Sequence, residues 1–212
     1  MTNLNIPDGF FPDLLVGMAV NFEIAAISLA IGLALGGLLA LGRLAGGVTG
    51  AAATALIGLM RAAPTFVVMF FLLNIIPRDA TLFGFGVTPS PLMIVALSLV
   101  PYSASYVADN GAEALKQLRA GSPLGALQFL PNVTRAFFVL VMSSSAGAAI
   151  GVTEGISVIL REAVLLPELG DKLVLFAIGI VFFGITLQVG FALMRILQHH
   201  LGRLAVRASA SP

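Results

Sequence analysis

Arg61 stands ten residues inside an apolar run that begins at Ala51, and Pro64 follows it. A guanidinium at that depth costs about 2.5–3.5 kcal/mol on membrane-insertion scales, so it must point into protein or water, where it can hold a carboxylate. Pro64 has no amide hydrogen to bond residue 60, which leaves the Met60 carbonyl open to a ligand. The structural alternative is an arginine paired to a neighbouring helix. Two further polar groups interrupt apolar stretches: Tyr102 and Tyr106, four apart and so on one helical face, and the run Ser143, Ser144, Ser145. Their hydroxyls can line a passage and compensate a zwitterion for lost water, or they can glue helices together and bond back to their own backbone. None of these forms a catalytic set. The absence of Cys excludes a thiol nucleophile and thiolate metal ligands. His199 and His200 are adjacent, hence about 100° apart on a helix, and cannot face one metal, so no metal site is expected.

A second chemistry is that of docking. Residues 109–131 hold Asp109, Glu113, Lys116 and Arg119 within eleven positions, in a chain only 10% charged. Ala112, Leu115 and Leu118 give a short amphipathic helix an apolar face opposite Glu113, Lys116 and Gln117. Gly121, Ser122 and Pro123 break it, and an apolar turn ending in Leu130-Pro131 follows. A helix that keeps a greasy face in water and is too short to span calls for a protein partner, against the plainer reading of a solvated loop.

The surrounding elements are those of an all-α polytopic membrane protein. The hydrophobic share is 58% and the mean hydropathy +1.04, against roughly 45–50% apolar residues in soluble domains. With net charge +1 no basic face argues for nucleic acid. No Gly-x-x-x-x-Gly-Lys-Ser/Thr loop occurs, so nucleotide chemistry must lie on another chain. Five spans are expected, at residues 16–44, 51–76, 92–108, 133–152 and 173–197, each near the ~20 residues needed to cross ~30 Å of hydrocarbon. Residues 1–15 form an outer segment in which Pro7, Asp8, Gly9, Pro12 and Asp13 break any helix, residues 77–91 a loop, and residues 205–212 a tail. Residues 153–172 are a polar connection with a short interfacial helix before the last span. Gly32 and Gly36 stand four apart and permit close helix contact. No acid falls inside a span core, since Glu23 is near an end. With the amino terminus outside, Arg43, Lys116, Arg119, Arg135, Arg195, Arg203 and Arg207 are cytoplasmic against Arg78, Arg161 and Lys172, as the positive-inside rule asks. Residues 109–131 then face the cytoplasm.

Three places in the chain resemble the membrane subunits of ATP-binding-cassette importers of the polar amino acid type, over residues 21–204. Arg61-Ala62-Ala63-Pro64 is similar to the family's Arg-Gly-Thr-Pro, and Tyr106-Val107-Ala108-Asp109 to its aromatic, small residue and acid. Glu113-Ala114-Leu115, Gly121 and Leu130-Pro131 resemble its cytoplasmic Glu-Ala-Ala…Gly…Leu-Pro loop, here shortened, with Asn110-Gly111 in place of Arg-Gly. The resemblance implies a permease domain over residues 16–204 in the bacterial inner membrane, without catalytic residues or cofactor of its own. ATP and Mg would be bound by two separate ATPase subunits that receive the loop through Glu113, Ala114, Lys116, Gly121, Ser122, Pro123, Leu124 and Leu127. A second permease subunit and a substrate-binding protein complete the implied assembly. Arg61, Pro64, Tyr102, Tyr106 and Ser143 to Ser145 become the candidate pathway for an amino acid or related solute. Phosphonate- or methionine-type importer permeases share this architecture. A secondary carrier needs an embedded titratable carboxylate and repeated halves; a purely structural membrane subunit is the remaining alternative.

Overall fold

The computed structural model describes residues 9–76, 81–82, 85–86 and 89–209, and within those ranges the side chains of residues 81–82, 85–86, 123–124, 197–199, 201–202 and 204–209 are not described. Pro7, Asp8, Arg78 and Asp79 lie outside the described residues. Among the described residues nine helical segments follow in chain order: α1 Phe10–Ala45, α2 Gly47–Ala62, α3 Thr65–Ile75, α4 Pro91–Arg119, α5 Pro123–Ala126, α6 Phe129–Ser143, a 3-10 helix Ser144–Ile150, α7 Gly155–Leu165 and α8 Leu169–Ser209. Between α3 and α4 a two-residue antiparallel ladder pairs β1 Thr81–Leu82 with β2 Phe85–Gly86. Among the described residues four helices are long and apolar enough to cross a membrane, and the bent pair of α2 and α3 makes a fifth span if it counts as one.

α1 starts earlier than the break-rich opening of the chain suggests. Pro12 and Asp13 sit in its first turn, where a proline sacrifices no helical hydrogen bond and an acid complements the dipole. Phe10 and Leu14 are buried against Val158, Ile159, Ala163 and Leu175, anchoring this end of α1 to α7 and α8. α1 then packs along α4 in the most extensive contact of the fold. The expected close approach is there: a Cβ on Gly32 would come 2.6 Å from Ser103 Cβ, and one on Gly36 would come 2.5 Å from the Ala104 carbonyl oxygen. α4 is central, with 61% of its apolar window buried, whereas α8 has 11% and lies at the periphery. The main core joins Ile24, Ala25, Met69, Val95, Leu99 and Leu140 from α1, α3, α4 and α6.

Residues 51–76, expected as one continuous helix, form two, α2 and α3. α2 and α3 meet at 94°, because the residue before a proline avoids the helical region and the proline itself cannot donate. Ala63 and Pro64 are both extended, at ψ 114° and 123°. The span expected over residues 133–152 is likewise α6 followed by the tighter 3-10 turn, with the serines at the junction. α7 is the expected short helix before the last span, and α8 continues beyond residue 197 into the tail.

Candidate functional site

One end of the bundle gathers the charges. Arg43, in the last turn of α1, donates to Asp109 Oδ1 at 2.8 Å, and Arg61, in the last turn of α2, pairs with Oδ2 of the same carboxylate. Asp109 on α4 thereby ties three helix segments together. Arg61, expected to point into protein or water, does both: it pairs with Asp109 while its side chain stays 61% exposed, in the last turn of α2 just before the break at Ala63-Pro64. The arrangement is the pairing alternative, and it brings Arg61-Ala62-Ala63-Pro64 and Tyr106-Val107-Ala108-Asp109 to one place. One residue on, Asn110 donates to the Tyr106 carbonyl and accepts from Asn132 at 2.8 Å, fastening α4 to α6.

Residues 109–131 form a hairpin built on that clasp. The separate amphipathic helix expected there is instead the last turns of α4, which runs without a break to Arg119. Asn110-Gly111 does not interrupt it, because Gly111 sits against Ala40 and Phe129, where a Cβ would meet ordinary contacts at 3.6 and 3.8 Å. The break comes at Gly121, whose φ of 75° is the left-handed conformation that glycine adopts most readily. Its amide bonds Leu118 O while that of Ser122 bonds Gln117 O, the paired pattern that closes a helix on a glycine. α5 then turns the chain into α6. A cleft of about 200 Å³ opens between the two arms, lined by Asn110, Glu113, Ala114, Gln117, Gly125 and Gln128 among others. Glu113 accepts from Gln117 at 3.0 Å and lies 3.9 Å from Lys116, both on its own helix. Leu118 is 52% exposed and Leu130 40% exposed, so the hairpin does carry uncovered apolar surface. Leu127 is half-buried and Lys116 exposed.

The hydroxyl candidates lie elsewhere. Tyr102 and Tyr106 share a face with ring centroids 6.0 Å apart, half-buried, one and two turns before Asp109. Ser143 and Ser145 are half-buried, while Ser144 is wholly buried. Ser144 donates to Val141 O at 2.7 Å and accepts from Asn21 Nδ2 at 2.8 Å. Asn21 is 22 residues before Arg43 on the same helix, or about 33 Å of rise. The serines and Arg61 therefore do not meet within this chain.

The opposite end holds residues that the sequence reasoning passed over. Glu154, placed in a polar connection, is fully buried, as is Asn21. It caps α7, accepting from Ile156 N at 2.9 Å and Ser157 N at 2.8 Å, while Ser157 Oγ accepts from the Glu154 amide. Asn21 Nδ2 also donates to Glu154 Oε2 at 2.9 Å, and Asn21 Oδ1 accepts from Gly155 N at 3.0 Å. α1 and the start of α7 approach this closely because Gly17 faces the Glu154 carbonyl carbon, with room for no Cβ. Burial pushes the Glu154 carboxyl above its ordinary value, against the opposing pull of the Ile156 amide, the Asn21 amide group and the Ser157 amide. A titratable group therefore sits in the bundle interior although no span core contains an acid. The available signal was Glu154 with Ser157 three positions on, a capping pair with its residue types exchanged.

Among the described residues no three metal-ligating side chains come together. No protein-family model and no curated protein matches the chain. Its fold is similar to that of a chain in a solved structure described as the crystal structure of an amino acid ABC transporter with histidines. The TM-score is 0.66 at 16% identity, over 90% of this chain and 95% of that one, a likeness of fold across nearly the whole of both.

Proposed function

We propose that this chain is the membrane-embedded permease subunit of an ATP-driven importer for a small polar solute, of the amino acid type. The observation that carries the reading is the fold likeness across nearly the full length of a transporter chain, joined to a folded hairpin at residues 109–131 that leaves Leu118 and Leu130 uncovered. In this reading the bundle makes five crossings, α2 and α3 together forming the second, and the Asp109 end is cytoplasmic. Arg43, Lys116, Arg119, Arg135, Arg195 and Arg203 then lie on the inner side, joined by Arg61.

Two ATPase subunits bind ATP and Mg and receive the hairpin, with Leu118, Lys116 and Leu127 at the contact. Because α4 runs as one helix from the hairpin into the core, with Pro101 its one interior proline, displacement of the hairpin is carried along it to the residues packed on α1. The clasp on Asp109 joins that helix to α1 and to the broken helix. A second permease subunit completes the passage, where Tyr102, Tyr106, Ser143 and Ser145 offer polar groups to a solute delivered by a binding protein. Affinity purification of the chain from its native membrane tests the reading: an ATP-hydrolysing subunit copurifies, and ligand-loaded binding protein stimulates hydrolysis. Recovery of an active transporter without such a subunit overturns it.

Buried Glu154 favours a second reading, a proton-coupled carrier, since an interior carboxyl with a raised pKa is what such a carrier requires. Uptake driven by a proton gradient without ATP, and lost in Glu154→Gln, would select it.

A further inference from the structure

A cleft of about 270 Å³ separates α6 from α8, and its lining combines charge with grease: Arg135 and Pro131 from α6, and Arg195, Gln188, Phe191 and Met194 from α8. Thr134 also lines it, but its hydroxyl is spent on the Leu130 carbonyl at 2.9 Å. Arg43, Arg61 and Arg161 each hold a carboxylate. Arg135 and Arg195 have none within 4.0 Å among the described residues, and both are exposed. Two guanidiniums lining one cleft, with no carboxylate paired to either among the described residues, offer an anion a doubly charged site.

We infer that this cleft binds the phosphate of an anionic membrane phospholipid. Both arginines belong to helices apolar enough to span, and both sit near the same end, where a guanidinium reaches the headgroup layer and meets phosphate oxygens in a forked geometry. Gln188 offers an amide donor about two turns before Arg195 on α8. The walls are apolar: Phe191 packs against Phe138 with ring centroids 4.4 Å apart, and running back along α8 from Arg195, Leu193, Val189 and Ile185 are more than half exposed, a track for acyl chains. A phosphate free in water has no use for such walls. Basic pockets between membrane helices are established places for anionic headgroups. The inference requires only that these helices lie in a membrane, so it stands or falls apart from the transport reading.

The full chain, delipidated in detergent, is titrated with phosphatidylglycerol and with phosphatidylcholine and read by native mass spectrometry. One phosphatidylglycerol binds in preference to phosphatidylcholine. The variant Arg135→Gln/Arg195→Gln loses that preference, on the order of ten- to thirtyfold in affinity for two arginines, while Arg119→Gln, a charge removed elsewhere at the same end, keeps it. Equal binding of the two lipids, or equal loss in both variants, overturns the assignment. So does inorganic phosphate competing as well as the lipid, which marks a free-phosphate site. Should the double variant not fold, Met194→Trp places a single reporter in a chain that has no Trp. Brominated phosphatidylglycerol quenches it more strongly than brominated phosphatidylcholine, and equal quenching refutes the site.

Discussion

Gly36 and Gly37 are neighbours on α1 with opposite surroundings, which makes their alanine variants a matched pair. A Cβ on Gly36 would stand 2.5 Å from the Ala104 carbonyl oxygen and 2.7 and 2.8 Å from Val107 Cβ and Cγ1, whereas one on Gly37 meets nothing within 4 Å. Ordinary contact begins at 3.4 Å, so Gly36→Ala needs α1 and α4 to part by about 0.6–0.9 Å. The obstruction includes backbone, which cannot turn aside as a flexible side chain would. Both variants gain about 0.5–1 kcal/mol from removing glycine from a helix interior, and only Gly36→Ala incurs the overpacking cost of about 1–3 kcal/mol. The difference between them isolates that cost. At about 2–4 °C per kcal/mol for a chain of this size, thermal unfolding of the detergent-purified chain, followed by size-exclusion recovery, should separate them by several degrees, with Gly37→Ala the more stable. Coincident melting curves would refute the tight α1–α4 packing.

Other outcomes follow from the two polar clusters. Because burial raises the Glu154 carboxyl above 4.5, the folded chain holds that proton more tightly than the unfolded one. Its contribution is complete below the ordinary value and is lost as pH rises through the raised one. Stability of the native chain relative to Glu154→Gln should therefore fall with rising pH across that window, and parallel pH profiles would contradict the burial. At the other end Asp109→Asn leaves two arginines facing a neutral amide. Since Arg43 is 40% exposed and Arg61 61%, the stability change should stay within about 1 kcal/mol per pair, while uptake by the reconstituted assembly drops sharply. Arg61→Ala likewise leaves assembly intact and abolishes or redirects uptake; normal uptake of anionic and zwitterionic ligands would remove Arg61 from the mechanism.

Local chemistry was legible in the residues wherever one residue type dictates the backbone. Gly32 and Gly36 announced the close helix contact, and Gly121-Ser122-Pro123 announced the hairpin's turn. Pro64 carried the helix break, yet the apolar residues on both sides read as one span, because hydropathy has no direction and cannot register a 94° bend. Arg61 stands in the last turn before that bend, where it pairs with Asp109. The run of charges after Asp109 marked a surface correctly, but surface character does not end a helix. With only Gly111 to weaken it, and Ala40 and Phe129 packed beside that glycine, α4 continues to Arg119. Glu154 was hidden for the opposite reason. Its burial is made by Asn21, more than a hundred residues away, and by Gly17, whose missing Cβ admits the start of α7; neither is visible from the polar stretch in which Glu154 stands.

In the proposed function the hairpin between α4 and α6 meets an ATPase in the cytoplasm. The chain contains no Cys, so Leu118→Cys supplies a single thiol at an uncovered apolar position of that hairpin. In membrane vesicles carrying the native assembly, an impermeant maleimide should label this thiol from the cytoplasmic face alone, and a bifunctional reagent should cross-link residue 118 to an ATP-hydrolysing chain. Labelling from the exterior of intact cells would contradict it.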